Sequence, residues 1–384
     1  MSTKKHIFIV AHMIRGGGAE TFLRGLLPKL VGIMLDTSFS CLVAESRKHH
    51  YEKIAGLSLI TVQDTVLNST IQRLQFDNFE LTKIVKETQP DMIFSAAEVV
   101  AYSLTKLKKP ILLVYHSTLQ FYMKPDVDNS ALKLFYTRFM RDRIAKKSDM
   151  IVAVSHFERG EIGARYHSHR FKKSAVVYHG VNHECFYPLE KDETVKKRFP
   201  FKYILCISDF HKHKKLEEML EIYHHMAEMG IEEHLVFVGR EKNRDSFLRI
   251  KELIEKYELD EKVHIIDYID NSELREAYLN CTLYWTHSRY ESFGMTPLEA
   301  MACAKPVFAA WRESLPEIYG NSVMFYNPYT DDFKDIATQA AQYIRDDVLS
   351  KEYALKGYEY SRQYTWDRAA EEYKKIIGYL LAAD

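Results

Sequence analysis

The stretch His6-Ile-Phe-Ile-Val-Ala11 is followed by Arg15-Gly16-Gly17-Gly18-Ala-Glu20 and then by a helical apolar pattern over residues 19–30. An uninterrupted apolar run suits a strand buried on both faces, and so a parallel sheet covered by helices. Glycines between strand and helix let the backbone approach a ligand closely and leave amides for an anion. The run is not a full Gly-x-Gly-x-x-Gly, because position 21 is Thr, and a dinucleotide reading weakens accordingly.

The same alternation continues outward from this unit. Further apolar runs fall at 39–44, 59–62, 92–95, 111–115, 150–154 and 175–178, with helical patterns at 78–88, 132–145 and 157–166 between them. A polar, charged stretch then interrupts the pattern before it restarts at 203–207, 216–229, 235–238, 247–257, 263–266, 283–285, 306–309 and 323–326. The tail reads as helices over 331–344, 349–362 and 365–381. The expected architecture is α/β, with two doubly wound, Rossmann-like parallel-sheet domains. Residues 1–185 form the first, 186–202 a linker, 203–362 the second, and 363–384 a helix crossing back to the first. Open parallel sheets bind ligands beyond their carboxyl strand ends, which puts the expected site in a cleft between two facing sheets.

Composition narrows the function. At 384 residues the chain exceeds one hydrophobic core. Lys+Arg and Asp+Glu both total 53, so no global field points to nucleic acid. The five cysteines are scattered without Cys-x-x-Cys pairs, which favours reduced thiols in a cytoplasmic compartment. No His/Cys/Asp cluster has zinc spacing, so no metal is expected. The N-terminal apolar run is too short for a signal peptide, and nothing approaches the ~18 apolar residues of a spanning helix. The expected protein is soluble or peripheral on a membrane.

A second stretch carries the chemistry: Ser288-Arg-Tyr-Glu291-Ser-Phe293-Gly294-Met295-Thr-Pro-Leu-Glu299-Ala-Met-Ala-Cys303. Thr296-Pro297-Leu298-Glu299 reads as an N-cap, a first-turn proline and a capping-box glutamate. Glu291 then lies on the loop leading into that helix. Amides from Phe293 to Leu298 are expected to face a phosphate.

The whole string resembles the Glu-x7-Glu signature of family-4 glycosyltransferases, which have the two-domain GT-B fold. The resemblance implies that Glu291 lies by the donor sugar and Glu299 holds the nucleotide ribose. It makes Gly16, Gly17 and Gly18 a donor-phosphate and acceptor loop. It also places His116, at the end of the run 111–115, near the donor sugar's outer hydroxyl. Ser208-Asp209-Phe-His211-Lys212-His213-Lys214 resembles the pyrophosphate loop, with Lys214 matching the family lysine. Asp209 stands where an arginine is usual, and His211 or Lys212 is left to supply that charge. Gly239 and Ile269 fall in segments similar to those that hold the base through backbone. His179-Gly180-Val181-Asn182 departs from the family's Asn-Gly-Val-Asp. Glu317, in Ser314-Leu-Pro-Glu317, reads as the start of another capped helix.

The basic stretch 133–147 reads either as a half-buried helix with a solvated face or as a contact for anionic lipid headgroups through Lys133, Arg138 and Arg141. The resemblance implies a retaining transferase that moves a hexose-type sugar, without a metal or other cofactor. The donor is a nucleotide-diphosphate sugar, UDP- or GDP-linked, and the acceptor a glycan or a lipid-linked molecule. Two alternatives stay open: an inactive GT-B nucleotide-sugar-binding partner subunit, and a GT-B sugar-nucleotide epimerase.

Overall fold

The computed structural model describes residues 4–98, 101–123, 131–166, 173–190 and 194–382. The chain divides into two units: Met1–Gly180 together with Thr365–Asp384, and Val181–Tyr364.

In the first unit the strands are β1 (Lys5–Val10), β2 (Thr37–Ala44), β3 (Leu57–Val62), β4 (Met92–Ser95), β5 (Ile111–Tyr115), β6 (Met150–Ala153) and β7 (Ser174–Val176). They form one sheet in the order β3-β2-β1-β4-β5-β6-β7, parallel throughout. Its helices are α1 (Gly17–Ile33), α2 (Asp64–Asn68), α3 (Thr70–Gln75), α4 (Leu81–Thr88), α5 (Ala131–Ala145) and α6 (His156–Tyr166). Consecutive residues Ile7, Phe8 and Ile9 are all fully buried, as a strand with no solvent face demands.

The second unit repeats the plan. Its strands β8 (Tyr203–Ile207), β9 (His234–Val238), β10 (Val263–Ile266), β11 (Leu283–Thr286), β12 (Val307–Ala310) and β13 (Met324–Tyr326) lie in the order β10-β9-β8-β11-β12-β13. The helices are α7 (Leu216–Glu228), α8 (Arg244–Lys256), α9 (Asn271–Asn280), α10 (Met295–Ala302), α11 (Leu315–Tyr319), α12 (Phe333–Arg345) and α13 (Asp347–Ser361). Asn243 and Asp332 cap α8 and α12 through side-chain bonds to Ser246 N and Asp335 N.

The last helix, α14 (Trp366–Ala382), belongs to the first unit. Its Trp366 and Tyr373 rings pack on Phe22 of α1, at 6.2 and 5.9 Å between centroids. The close fit rests on Gly25, where a Cβ would stand 2.1 Å from Trp366 Cε2.

Three sequence expectations change. The helix expected over 78–88 is a π-helical turn, Phe76–Glu80, running into α4. Helix α9 has no counterpart in the apolar pattern. Arg141 is not on a lipid-facing surface: it is 4% exposed, donates to Ser117 O at 3.1 Å, and lies 3.5 Å from Glu98. Arg138 is likewise turned inward, donating to the backbone oxygens of Gln120 and Met123. The Lys133 side chain lies outside the described residues. Among the described residues no helix is long and apolar enough to cross a membrane.

Gly25→Val is expected to lower stability by about 1–3 kcal/mol through overpacking against Trp366. Gly32→Ala, on the same helix with nothing within 4 Å, is expected to raise it by ~0.5–1 kcal/mol. Urea unfolding of both variants reads the pair, and equal effects would deny the tight α1–α14 contact.

Candidate functional site

In the second unit the site grows from the ends of β8 and β11. These strands are neighbours, with Ile204 opposite Leu283 and Leu205 opposite Tyr284. The loop after β8 closes in a 3-10 turn, Lys212–Lys214, and Lys215 takes a left-handed conformation at φ 53°. The loop after β11 is tied to it by Arg289 N donating to His213 O at 2.7 Å. Lys214 Nζ and Glu291 Oε1 then meet at 2.6 Å, both half-buried. Ser314 Oγ donates to Glu291 O at 2.8 Å and fixes the far side of the carboxylate's loop.

Gly294 makes the turn into α10. Its φ is 80°, and a Cβ there would stand 2.0 Å from Tyr319 Oη, which donates to Gly294 O at 2.8 Å. No side chain with a Cβ fits this corner. Helix geometry leaves the first-turn amides without intrahelical partners, although Pro297 contributes none. Phe293 is buried against Tyr364, 6.0 Å between ring centroids, so its side chain is core.

The capping box does not form. Gly294 is the N-cap, and Thr296 sits inside α10. The Thr296 hydroxyl instead accepts from Tyr284 Oη at 2.7 Å. Glu299 points into the unit, 7% exposed, and accepts from Tyr278 Oη at 2.8 Å. Burial pushes its carboxyl from 4.5 up to about 7, against the opposing pull of the Tyr278 hydrogen bond. The Ser314 side chain does not cap α11 either, since its hydroxyl is turned to Glu291.

The remaining residues of the β8 loop serve varied ends. Ser208 N donates to Val238 O at 2.8 Å. Asp209 Oδ1 accepts from Arg240 N at 2.9 Å, so this aspartate stitches the β8 loop to the β9 loop. Lys212 reaches Asp245 at 3.3 Å on the surface. His211 stacks on His213 at 5.2 Å, and burial, then Lys214 and His211, push the His213 imidazole down to about 2. Gly239 N donates to Ile266 O, and Ile269 is buried. The exposed Tyr268 ring carries the Arg240 guanidinium at 4.8 Å.

In the first unit, Gly16 is the N-cap of α1, with φ 140°, and Gly17 has φ 68°. His116 ends β5. Its Nε2 lies 2.9 Å from Ala96 O, which only accepts, so that nitrogen carries the proton and Nδ1 is the basic atom. The ring packs edge-on against Phe22 at 4.9 Å. Glu98 Oε1 accepts from His116 N at 3.2 Å and is itself braced by Arg141. His179 is buried beside His116 and Trp366, and burial holds it neutral, well below its ordinary value.

Sequence reasoning missed several groups. Tyr278 lies on the unforeseen α9. The Arg141–Glu98 brace needs three-dimensional proximity. Arg312, after β12, is 3% exposed with Nε and Nη1 unpartnered among the described residues, its guanidinium 4.5 Å from the Tyr329 ring centroid. Its only sequence signal is a charge at the end of an apolar run. Among the described residues no group of three or more His, Cys, Asp or Glu is placed to hold a metal ion.

Comparison with known proteins gives the class. Residues 16–184 match the family described as Glycosyltransferase Family 4, and residues 190–363 that described as Glycosyl transferases group 1. The chain belongs to this glycosyltransferase family, and its two parallel-sheet domains are the GT-B fold. A probable sucrose-phosphate synthase of Thermosipho melanesiensis is 30% identical over 212 residues, 53% of this chain and 47% of that protein. The N-acetyl-alpha-D-glucosaminyl L-malate synthase of Bacillus anthracis is 23% identical over 244 residues, 62% of each. The chain thus spans less than two thirds of these curated relatives. A solved sucrose-phosphate synthase of Thermosynechococcus elongatus superposes with a TM-score of 0.75 at 16% identity, covering 99% of this chain and 100% of that one. Anabaena HepE in complex with UDP and glucose gives 0.77 at 15%, covering 98% and 100%.

The raised Glu299 carboxyl has a consequence for stability. The fold favours its protonated form, so the group's contribution is complete below pH 4.5 and lost as pH rises through about 7. Glu299→Gln keeps an acceptor for Tyr278, and is expected to exceed the parent in stability at pH 8 by roughly 3 kcal/mol. The two proteins should converge near pH 4.5. Urea unfolding at pH 5, 6.5 and 8 measures the gap, and a Gln variant weaker at pH 8 would show that the carboxylate stabilises the fold.

Proposed function

We propose that the chain is a retaining glycosyltransferase that moves a hexose-type sugar from a UDP- or GDP-sugar to a glycan or lipid-linked acceptor without a metal. The observation that carries this reading is the Lys214–Glu291 pair at 2.6 Å beside the Gly294 turn. It falls on the residues of the family signature, at the carboxyl ends of adjacent strands. Support also comes from a protein of similar structure, Anabaena HepE, which has been solved in complex with UDP and glucose and with UDP-glucose.

As the glycosidic bond to the nucleotide breaks, negative charge grows on the β-phosphate and positive charge on the sugar ring. Lys214 and the first-turn amides of α10 meet the former as fixed donors. Glu291, released from Lys214 by the incoming phosphate, accepts from sugar hydroxyls. Glu299 accepts from the ribose, held in place by Tyr278. Gly16–Gly18 lend backbone amides to the donor phosphate and border the acceptor, and His116 offers Nδ1 to the sugar's outer hydroxyl. Gly239 and Ile269 contribute backbone to the base. The free cysteines, four of them buried, accord with a reducing, cytoplasmic setting.

Asp209 supports one rival, a binding module without turnover, because its carboxylate brings no positive charge to the pyrophosphate. Incubation with UDP-, GDP- and ADP-sugars and measurement of nucleoside diphosphate release tests both. Lys214→Ala and Glu291→Gln are each expected to cut release at least about a hundredfold, the scale of losing one charge-stabilising group, with melting transitions close to the parent's. Nucleotide binding without release from any sugar donor would favour the module.

A further inference from the structure

Helix α5 carries an outward face that the proposed transfer leaves unused. Its inner side is fixed to the first unit: Leu134, Arg141, Ile144 and Ala145 are buried. Backbone oxygens of Ser117, Gln120 and Met123 accept from Arg141 and Arg138. The two arginines expected to meet lipid thus hold the helix in place from beneath.

The outer side is aromatic at one end and cationic at the other. Phe135, Tyr136 and Phe139 are 67%, 45% and 44% exposed, and the Phe135 and Phe139 rings stack at 6.2 Å between centroids. Arg143, Lys146 and Lys147 are exposed one and two turns further on. Lys146 N donates to Asp142 O at 3.2 Å and Lys147 N to Ile144 O at 2.9 Å, so the winding continues through both. At 3.6 residues per turn, all six side chains fall within roughly a third of the circumference.

Lys106, on the 3-10 turn Tyr102–Lys106, adds a cation beside them. Its ammonium and the Arg143 guanidinium share the Tyr102 ring, 6.0 and 5.4 Å from the centroid. Arg143 also lies 4.8 Å from the Phe139 centroid, which ties the cationic end to the aromatic one. Asp142, the only acid between 131 and 147, is paired with Arg165 at 3.3 Å. Among the described residues, the ion pairs of α5 are Asp142–Arg165 and Arg141–Glu98, which leave Arg143, Lys146 and Lys147 without a carboxylate partner.

A single exposed aromatic is ordinary, but three on one stripe mark a contact surface. Lysine is depleted from protein–protein interfaces. At a bilayer surface, by contrast, lysine and arginine stems lie beside apolar groups and carry their charges out to the headgroups. Rings and unpaired cations on the same stripe therefore select an anionic bilayer over a second protein.

We propose that the outer face of α5 docks the first unit on an anionic membrane. Phe135, Tyr136 and Phe139 enter the headgroup boundary, and Lys106, Arg143, Lys146 and Lys147 face lipid phosphates. The inference goes beyond the transfer reaction and does not rest on it, since nucleoside diphosphate release tests that reading separately.

Co-sedimentation of the full chain with vesicles of phosphatidylcholine, alone or mixed equally with phosphatidylglycerol, tests it. At ~50 mM salt the chain is expected to bind the mixed vesicles at least about tenfold more tightly than phosphatidylcholine, and to weaken as salt rises. Lys146→Glu/Lys147→Glu should cut that affinity at least about tenfold, on the scale of roughly fivefold per cation removed. Phe135→Ser/Phe139→Ser should cut it about as much at every salt concentration. Lys86→Glu, exposed on α4, should bind like the parent. Melting transitions show whether each variant is folded. Phe139→Trp, which keeps a ring in place, should shift its emission to the blue with mixed vesicles only. Failure of the parent to bind mixed vesicles at low salt overturns the proposal, as does parent-like binding by either double variant. A concentration-dependent dimer that Phe135→Ser/Phe139→Ser abolishes, with no vesicle binding, overturns it in favour of a second copy of the chain.

Discussion

Strands β8 and β11 are hydrogen-bonded neighbours although Lys214 and Glu291, on the loops beyond them, are 77 residues apart in sequence. This adjacency is the switch in strand order of an open parallel sheet, and the candidate donor site depends on it. A parallel sheet has helices on both faces, so ligand-facing side chains are confined to its carboxyl edge. The first sheet has its own switch at β1, between β2 and β4. The glycine loop and Arg15 follow from that strand. Where chemistry can happen is thus set by which strands sit side by side, before any side chain is chosen.

Tyrosine hydroxyls do much of the local fixing. Tyr319 holds Gly294 O, Tyr278 holds Glu299, and Tyr364 donates to Ile318 O at 2.6 Å. Tyr203 donates to Ala277 O at 2.7 Å. Each ring fills core volume while its hydroxyl satisfies an acceptor, and for Tyr203, Tyr278 and Tyr319 desolvation raises the cost of ionising the phenol. The abundance of tyrosine is a stock of such pins, most of them in the second unit's interior. One consequence is that Glu299 is oriented by the core rather than by its own helix.

Strands were the most legible feature of the sequence, because apolar runs such as 111–115 and 203–207 cannot be exposed on either face. Lys214 and Glu291 were legible too, through motif spacing that the strand order turns into proximity. Caps were not. Thr296 looks like an N-cap in one dimension, but Gly294 preempts it by adopting a conformation that Tyr319 crowds against any larger residue. Helix α9 escaped because its apolar residues are few. Arg141 misled because a basic residue on an amphipathic stretch reads as exposed, whereas here Glu98 and Ser117 O take it inside.

The placement of α14 has a bearing on how the chain is made. The first unit's strands are all synthesised by Val176, yet the rings that cover Phe22 and Phe94 arrive only with Trp366 and Tyr373. Between them the ribosome produces the whole of the second unit, which is contiguous and has its own core. At ordinary elongation rates that interval is on the order of 10–40 s. For that time the α1 face holding Phe22 lacks its native cover. Within the first unit the backbone of α14 also runs against Gly180, where a Cβ would stand 2.3 Å from Trp366 N. The second unit is therefore a self-contained insert in the first unit's sequence, and the first unit closes only after the insert has emerged.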